Sequence, residues 1–483
     1  MNIYEKIVEE NRGYEGTAVI EGERSWTYPE LFRTVGELVP LLKAHGARKH
    51  SRIAVLMEDS FDCIAFSLAV LAMDAIMIPV SSHSAEPERK ELLKLTGVNL
   101  LIADRRFCGE DAHPEERSGT GKSFPFPGRP EIFLSLLDET VRPVPLPEGK
   151  QAAFIRFSSG TTGRIKGVVL SHHSVLERTS ACTELDVRRG ESVLWVLDMA
   201  FHFVVTILLF LRRGAQIVIC GKPTETEMFK AFRSQKISML YATPYHYLLM
   251  CHSPDFRQED LRTVRRAFST AMKLETTLAD AFREKFSLPL TQAYGIIEVG
   301  LPCVNVSDER EKMQSVGRLQ KAYRLRIADA DERGTGRILL AGPGFFDAYL
   351  VPFQTREELC PDGWFDTGDT GHLDREGFLF IEGRTKDIIN FSGMKIFPYE
   401  VEEVLLGCPG ISDVRVYAFP MEGFGEVPSA DVVLSGTLVS EDWENRIRTF
   451  ASTRLPGWKI PVRFRKVDVI PRTASGKTIR HSL

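Results

Sequence analysis

A run of small residues in the first half of the chain has the composition needed to bind phosphate. It spans residues 158–167 and consists of Ser-Ser-Gly-Thr-Thr-Gly-Arg-Ile-Lys-Gly. Backbone N–H groups and hydroxyls in such a loop can close around phosphate oxygens, and Lys166 adds a positive charge. The pattern Gly-x-x-x-x-Gly-Lys-Ser/Thr is absent, which excludes a Walker-type loop. A flexible surface linker is the alternative, but a linker requires neither the two threonines nor the Lys-Gly pair.

Four more segments carry residues suited to nucleotide chemistry. They are Gln-Ala-Tyr-Gly-Ile-Ile-Glu at 292–298, Trp-Phe-Asp-Thr-Gly-Asp at 364–369, Gly-Arg-Thr-Lys-Asp at 383–387, and Pro-Arg-Thr-Ala-Ser-Gly-Lys at 471–477. In this order and spacing, the five segments resemble those of the AMP-forming adenylating enzymes. That superfamily contains acyl- and aryl-CoA synthetases, nonribosomal adenylation domains and beetle luciferases. The resemblance covers nearly the whole chain.

The resemblance implies a role for individual residues. Lys477, Glu298 and Thr162 would be catalytic, Glu298 and Thr162 would hold Mg²⁺, and Lys386 would be the hinge of a mobile lid. The nucleotide would be bound by Ser158, Ser159, Gly160, Thr161, Thr162, Gly163, Lys166, Thr270, Ala271, Tyr294, Gly295, Asp369, Arg384 and Lys477. In this set Tyr294 stacks on adenine, Asp369 accepts both ribose hydroxyls, and Lys477 reaches the α-phosphate.

The implied reaction explains these residue types. A carboxylate attacks the α-phosphorus of ATP and expels pyrophosphate, so two anions must approach each other. Mg²⁺ and cationic side chains offset the repulsion, and positioning supplies most of the remaining rate.

Several positions depart from the usual family pattern. Ile165 replaces a proline in the phosphate loop, and Ile297 replaces the threonine that precedes the acidic residue. Asn390 stands where luciferases and many plant aryl ligases carry lysine, which argues against a luciferase-like oxygenase. The run Ser-Thr-Ala-Met at 269–272 replaces a Gly-Ala-Pro segment beside adenine.

The sequence gives fewer signals for the acid substrate and for the acceptor of the acyl group. The acid pocket is predicted to be mostly apolar and aromatic, and to draw on Phe201, His202, Phe203, Tyr245, Phe268, Tyr294 and Ile297. Amino-acid-activating relatives place an aspartate in the region 201–205, whereas Asp198 here comes slightly early. Seven basic residues between Lys459 and Arg480 are opposed within that stretch only by Asp468. This stretch is either a solvated face or a surface for CoA phosphates or an acidic carrier protein.

The expected function is that of an ATP-dependent, AMP-forming ligase that makes an acyl adenylate and then an acyl-CoA thioester. Its substrates would be ATP, a carboxylic acid and CoA, with Mg²⁺ as cofactor. The first alternative is a stand-alone enzyme that loads a carrier-protein phosphopantetheine. The second is a non-catalytic adenylate sensor, against which the presence of Lys477, Glu298 and Asp369 argues.

Composition restricts the class of protein. The 483 residues are 43% hydrophobic and 26% charged, which is ordinary for a globular protein. The net charge of -4 excludes a generally basic nucleic-acid binder. Eight scattered cysteines and an N-terminus without an apolar core predict a cytoplasmic protein. The apolar stretches 61–80 and 193–211 are interrupted by charged or polar residues, so buried core elements are expected rather than membrane spans.

Helical and strand patterns alternate along the chain, which predicts an α/β fold with parallel sheets wrapped by helices. Thr27 to Glu30 form a capping box that should open a helix ending near Gly46. Residues 109–130 are predicted to be a long surface loop, because they are rich in Gly, Pro, Ser and charge. We expect a large multi-subdomain body over 1–385 and a small α+β lid over 386–483.

Overall fold

The computed structural model of this protein describes residues 1–107, 122–138, 140–158, 166–391, 394–421, 425–435, 442–472 and 478–480. The chain divides into two compact units and passes between them several times. The larger unit comprises Met1–Met313, Leu319–Tyr323 and Gly342–Gly363, and the smaller comprises Gln314–Arg318, Arg324–Ala341 and Trp364–Leu483. The predicted boundary at 385/386 concerns where a lid would begin to move, and it stays a prediction.

The strands follow one another along both units. In chain order they are β1 Thr17–Glu21, β2 Arg24–Thr27, β3 Arg52–Leu56, β4 Ile76–Pro79, β5 Leu100–Asp104, β6 Lys122–Phe126, β7 Arg129–Leu136, β8 Ala152–Ser158, β9 Lys166–Ser171, β10 Ser192–Trp195, β11 Gln216–Ile219, β12 Met239–Ala242, β13 Arg266–Ser269, β14 Leu290–Ile296, β15 Gly300–Val304, β16 Arg318–Leu319, β17 Arg324–Ala328, β18 Gly336–Ala341, β19 Ala348–Tyr349, β20 Gln354–Thr355, β21 Phe365–Leu373, β22 Leu379–Arg384, β23 Ile389–Phe391, β24 Met394–Ile396, β25 Ile411–Met421, β26 Gly425–Leu434 and β27 Arg463–Lys466.

Most helices lie between consecutive strands along the chain. In chain order they are α1 Ile3–Glu10, α2 Tyr28–Ala44, α3 Phe61–Ala72, α4 Glu86–Thr96, α5 His172–Ala181, α6 Met199–His202, α7 Leu208–Arg212, α8 Glu225–Ser234, α9 Pro244–His252, α10 Thr276–Phe286, α11 Arg356–Leu359, α12 Pro398–Leu406 and α13 Trp443–Ser452.

Two mixed sheets form the larger unit. The first runs β15-β14-β13-β12-β10-β11-β1-β2, and its pairs from β14 to β1 are parallel. The second runs β20-β19-β9-β8-β4-β3-β5-β7-β6, with β8, β4, β3 and β5 in parallel register. Strands such as β4 are buried along their whole length, as expected of parallel sheets covered by helices. The predicted α/β class is confirmed.

Local sequence signals explain where the helices begin. The Thr27 side chain accepts from the Glu30 backbone N–H, and the Glu30 carboxylate accepts from the Thr27 backbone N–H, so the predicted capping box opens α2. Ser60 caps α3, which is buried on nearly every side. No helix among the described ranges combines the length and the apolar character that crossing a bilayer requires. The stretch 61–80 instead forms α3 and β4.

One predicted loop is partly wrong. Residues 122–136 form the hairpin β6–β7, which extends the second sheet beside β5. The proline within β6 and the polar residues around it hide the alternation that a strand normally shows. Proline is compatible with this position because β6 is the edge strand of the sheet.

The smaller unit contains an antiparallel sheet, β17-β18-β21-β22, and a second sheet, β24-β23-β26-β25, with β27 parallel to β26. Helices α12 and α13 contribute Val401, Leu405 and Ile447 to an apolar core shared with Val416 and Val432 of the second sheet. The α+β arrangement predicted for the C-terminal part is therefore present.

Candidate active site

The predicted phosphate loop connects β8 to β9, which are antiparallel neighbours. Ser158 and Lys166 are the last paired residues on either side of it. Ser159, Gly160, Thr161, Thr162 and Gly163 lie outside the described residues, as do the side chains of Ser158 and Lys166 and the whole of Lys477. The roles predicted for these residues stay predictions.

The predicted adenine residues lie at the carboxyl ends of two adjacent parallel strands. Thr270 and Ala271 follow β13, and Tyr294 and Gly295 lie near the end of β14. Ligands of open α/β sheets bind at this edge. The Thr270 hydroxyl donates to the Ala293 carbonyl oxygen at 3.2 Å, which ties the two strand ends together. Tyr294 is partly exposed, and its stacking on adenine stays a prediction.

Gly295 is required by the hairpin that β14 forms with β15. A Cβ atom at this position would lie 2.6 Å from the Gly300 carbonyl oxygen and 2.7 Å from Leu301 Cδ2. A larger residue would therefore push the two strands apart beside Tyr294.

Glu298 lies in the turn between β14 and β15 and is held by two buried residues. The Tyr349 hydroxyl donates to Glu298 Oε1 at 3.2 Å, and burial together with this carboxylate raises the pKa of Tyr349. Arg178 of α5 donates to the carbonyl oxygens of Ile297 at 2.9 Å and Gly344 at 2.8 Å. These bonds fix the backbone of the turn, and Glu298 as a whole is partly exposed.

Arg178 is a site residue that sequence reasoning missed. It is buried with backbone carbonyls as its partners, and burial lowers its pKa to about 10. Gly344 faces it so closely that a Cβ there would lie 2.4 Å from the Arg178 backbone nitrogen. Its partners are more than a hundred residues away in the chain, so no local motif marks its role.

The residues predicted for the acid pocket are only partly brought together. Phe201, His202 and Phe203 lie on the segment Met199–Arg212, in which a π-helical turn, Phe203–Ile207, separates α6 from α7. Phe203 is buried against Phe154 of β8, with ring centroids 6.4 Å apart. The His202 ring lies 6.0 Å from the Trp195 ring and 6.5 Å from the Tyr241 ring.

The remaining pocket candidates are more scattered. Tyr245 is 57% exposed at the start of α9. Phe268 is completely buried in β13, and its carbonyl oxygen accepts from the Tyr247 hydroxyl at 2.7 Å. Ile297 is buried beside Glu298. Their pocket roles stay predictions.

Two aspartates, Asp59 and Asp198, bind the backbone at the start of the 199–212 segment, and sequence reasoning did not predict them as a pair. Asp59 accepts from the Met199 backbone N–H at 3.0 Å and from Trp195 Nε1 at 3.2 Å. Asp198 accepts from the Ala200 backbone N–H at 2.8 Å and from the Ser81 hydroxyl. Burial, and next the charge of Asp198, raise the pKa of Asp59 from 3.8 to about 7.

This raised pKa predicts a pH-dependent stability. The folded state binds the Asp59 proton more tightly than the unfolded chain does. The stabilisation from this proton is therefore complete below about pH 4 and is lost as the pH rises through about 7. The thermal unfolding midpoint of the wild type should therefore fall between pH 5 and pH 8, a range set by the pKa of about 7 in the folded state. In Asp59→Asn, which has no proton to release, the midpoint should fall less over the same range. The matched control is Asp255→Asn at an exposed position. Parallel profiles for wild type and Asp59→Asn would contradict the assignment.

The predicted ribose residues are paired in the smaller unit. Asp369 in β21 lies opposite Arg384 in β22, and Arg384 Nε is 2.6 Å from Asp369 Oδ1. Asp369 is only 3% exposed. Its backbone N–H donates to the Thr367 hydroxyl, which in turn donates to the Ile338 carbonyl oxygen. The carboxylate is thus oriented before any nucleotide arrives.

Lys386 lies in a short 3-10 turn directly after β22. Its Nζ is 3.8 Å from Asp387 Oδ1, and burial lowers its pKa despite the opposing charge of Asp387. The Asp387 carboxylate also lies 3.9 Å from Arg480. The hinge role of Lys386 stays a prediction.

Four of the seven basic residues between Lys459 and Arg480 are paired with carboxylates within the smaller unit. These ion pairs join Lys459 to Glu400, Arg465 to Asp431, Arg472 to Asp413 and Arg480 to Glu402. Counting charges inside the stretch alone overstated its positive charge, because these acidic partners come from earlier in the chain. The interpretation of the stretch as a surface for CoA phosphates or an acidic carrier protein stays a prediction.

Comparison with known families decides what these motifs belong to. The model described as "AMP-binding enzyme" matches residues 8–350, and the "AMP-binding enzyme C-terminal domain" model matches residues 400–477. The chain belongs to the AMP-binding enzyme family. The predicted membership of the AMP-forming adenylating superfamily is therefore confirmed.

Curated relatives cover nearly the full chain at modest identity. The long-chain-fatty-acid–CoA ligase FadD13 of Mycobacterium tuberculosis is 28% identical over 473 residues, which span 94% of this chain and 92% of that protein. The indoleacetate–CoA ligase of Aromatoleum aromaticum is 29% identical over 487 residues, or 95% and 93% of the two chains. The fatty acid–[acyl-carrier-protein] ligase ScoC of Streptomyces coeruleorubidus is 27% identical, over 96% and 92%.

Solved structures show the same fold. ATP-bound MatB from Rhodopseudomonas palustris has a TM-score of 0.84 at 21% identity, and covers 99% of this chain and 97% of its own. The o-succinylbenzoate CoA synthetase MenE of Bacillus subtilis, in complex with its acyl-adenylate intermediate, has a TM-score of 0.81 at 22% identity, over 99% and 97%.

Proposed function

We propose that this protein is an ATP-dependent, AMP-forming ligase that converts a carboxylic acid to its CoA thioester. The observation that carries the proposal is that both family modules occur in one chain, over 8–350 and 400–477, together with all five motifs. Curated relatives that are named as acid–CoA ligases support the choice of reaction.

The first half-reaction is adenylation. An oxygen of the substrate carboxylate attacks the α-phosphorus of ATP, the bond to the bridging oxygen breaks, and pyrophosphate leaves. Tyr294 and Gly295 receive the adenine, and Asp369 with Arg384 receives the ribose. Lys477 stabilises the negative charge that grows on the α-phosphate, and fixed positive charge of this kind lowers the barrier most where charge develops.

The turn that carries Glu298 suits a magnesium ligand. Mg²⁺ prefers oxygen ligands and is usually bound by one or two carboxylates together with substrate phosphates and water. Glu298 provides a carboxylate on a partly exposed residue whose backbone is held by Arg178. When bound, Mg²⁺ neutralises phosphate charge, and Thr162 is its second proposed protein ligand.

The second half-reaction transfers the acyl group to a thiol. The thiol sulfur attacks the acyl carbonyl carbon, and AMP leaves as the carbon–oxygen bond to the phosphate breaks. CoA is the proposed acceptor, and a carrier-protein phosphopantetheine is the second candidate because one relative is named as an acyl-carrier-protein ligase. We place the reaction in the cytoplasm, since the cysteines of the described residues are all unpaired.

A panel of carboxylic acids scored by pyrophosphate release tests the function. Aliphatic, aryl and dicarboxylic acids are each incubated with ATP and Mg²⁺, alone, with CoA, or with a phosphopantetheinylated carrier protein. We expect acid-dependent pyrophosphate release and, with CoA, an acyl-CoA product identified by mass spectrometry. Nucleotide binding without release for any acid would instead support the adenylate sensor.

A further inference from the structure

A deeply placed arginine on β8 faces the predicted acid pocket. Ile155 and Phe157 point into the core on one face of this strand, so Phe154 and Arg156 point to the other face. On that face Phe154 contacts Phe203, and Arg156 Cζ lies 5.4 Å from the centre of the Phe201 ring. Arg156 therefore looks onto the start of the 199–212 segment.

The guanidinium of Arg156 has no hydrogen-bond or ion-pair partner among the described residues, and its Nε is inaccessible to solvent. Arg178 makes a useful comparison in the same unit, because its nitrogens donate to backbone carbonyls. A cation held largely out of water without such partners is costly, so a guanidinium that has none among the described residues is suited to receive an anion.

Arg156 is not completely enclosed by the protein. Burial lowers its pKa to about 10, with Glu298 and then Asp198 opposing the shift, yet the residue keeps some accessible surface. A small anion from solution can therefore reach this side chain. The carboxylates that influence it are those of the proposed metal ligand and of the aspartate that precedes Phe201.

We propose that Arg156 binds a second anionic group on the acid substrate, so that the enzyme prefers acids bearing a carboxylate in addition to the one that is adenylated. This inference rests on the proposed function. Arginine beside an aromatic ring can still bind a carboxylate bidentately through its N–H edge. The position favours the second carboxylate, because Phe201 and Asp198 belong to the segment that is predicted to face the acid rather than to the strand ends at Thr270 and Tyr294 that are predicted to face adenine.

The test compares acids matched in chain length, such as straight-chain monocarboxylic acids and α,ω-dicarboxylic acids of three to eight carbons, and benzoate with its ring dicarboxylates. The measured quantity is the ratio of kcat/KM for the dicarboxylic and monocarboxylic member of each pair, from pyrophosphate release. We expect a wild-type ratio of about tenfold or more for the best pair, the scale of a charged hydrogen bond.

Arg156→Leu should lower that ratio by about tenfold or more while activity on the monocarboxylic acid persists. Arg156→Lys, which keeps the charge but loses the bidentate edge, should lie between the two. An unchanged ratio in Arg156→Leu would overturn the inference. An equal loss of kcat/KM for both acids would also overturn it, because that result would mean that Arg156 binds the reacting carboxylate or stabilises the fold.

The failures of the two proposals are distinguishable. Wild-type protein that releases no pyrophosphate with any acid defeats the proposed function itself. Wild-type protein that is active but handles the paired acids equally, or prefers the monocarboxylic ones, defeats only the role of Arg156. The wild-type ratios test the expected preference for dicarboxylic acids even if both variants fail to fold, and a thermal shift with ATP identifies variants that retain the nucleotide site.

Discussion

Lys477→Ala is expected to lower acid-dependent ATP–pyrophosphate exchange by about 10²–10³-fold. The lysine is proposed to act on charge that grows on the α-phosphate in the transition state. An interaction made mainly in the transition state lowers the rate of the chemical step when it is lost, and leaves ground-state nucleotide affinity largely intact. Isotope exchange between pyrophosphate and ATP measures this step without the thiol acceptor.

A matched control lies five residues earlier in the same segment. Arg472 is also basic, but it is paired with Asp413 at 2.7 Å, and such exposed pairs contribute little. Arg472→Ala should therefore exchange pyrophosphate at nearly the wild-type rate. Near wild-type exchange in Lys477→Ala would remove this residue from the site, whereas equal loss in both variants would point to a general disturbance of the segment.

Asp369→Ala is expected to weaken ATP and AMP binding together, by about 1.5–3 kcal/mol, the range for hydrogen bonds to a charged group. The carboxylate is buried and already oriented by Arg384 and by the turn at Thr367. Both nucleotides present the same ribose hydroxyls, so the loss should be equal for the two. Titration calorimetry with AMP measures it without turnover.

Two comparisons separate binding from folding for this residue. Asp329→Ala removes an exposed aspartate of the same unit that pairs with Arg337, and it should leave AMP affinity unchanged. Asp369→Asn keeps the shape of the side chain but removes the charge that Arg384 faces. Unchanged AMP affinity in a folded Asp369→Ala variant would contradict the ribose assignment.

Local patterns predicted the parts of the fold whose causes are local. The capping box at Thr27 and Glu30 lies within four residues, and α2 begins where it indicates. The hairpin β6–β7 was missed because its edge position, which tolerates a proline and polar residues, is set by its neighbour β5 rather than by its own sequence.

The residues of the candidate site also divide into those that lie in local motifs and those whose partners are distant in the chain. Asp369 and Arg384 could be predicted because they lie in recognisable motifs, and the register of β21 and β22 brings them together. Arg178 could not be predicted, since its carbonyl partners lie 119 and 166 residues further along the chain. The ion pairs of the basic stretch were hidden for the same reason, because the partner of Arg480 is Glu402.

Residues 342–363 belong to the larger unit although they follow two strands of the smaller unit, and this affects a chain that folds while it is being synthesised. Strand β19 pairs with β9 only after the chain has made β17 and β18 of the smaller unit. A ribosome-bound chain that has emerged only as far as β18 would expose an unpaired β9 edge and an Arg178 without its Gly344 partner. Open strand edges are the surfaces through which incomplete chains associate. In the interval between the emergence of β9 and that of β19, nascent chains of this protein thus expose an edge through which they can associate.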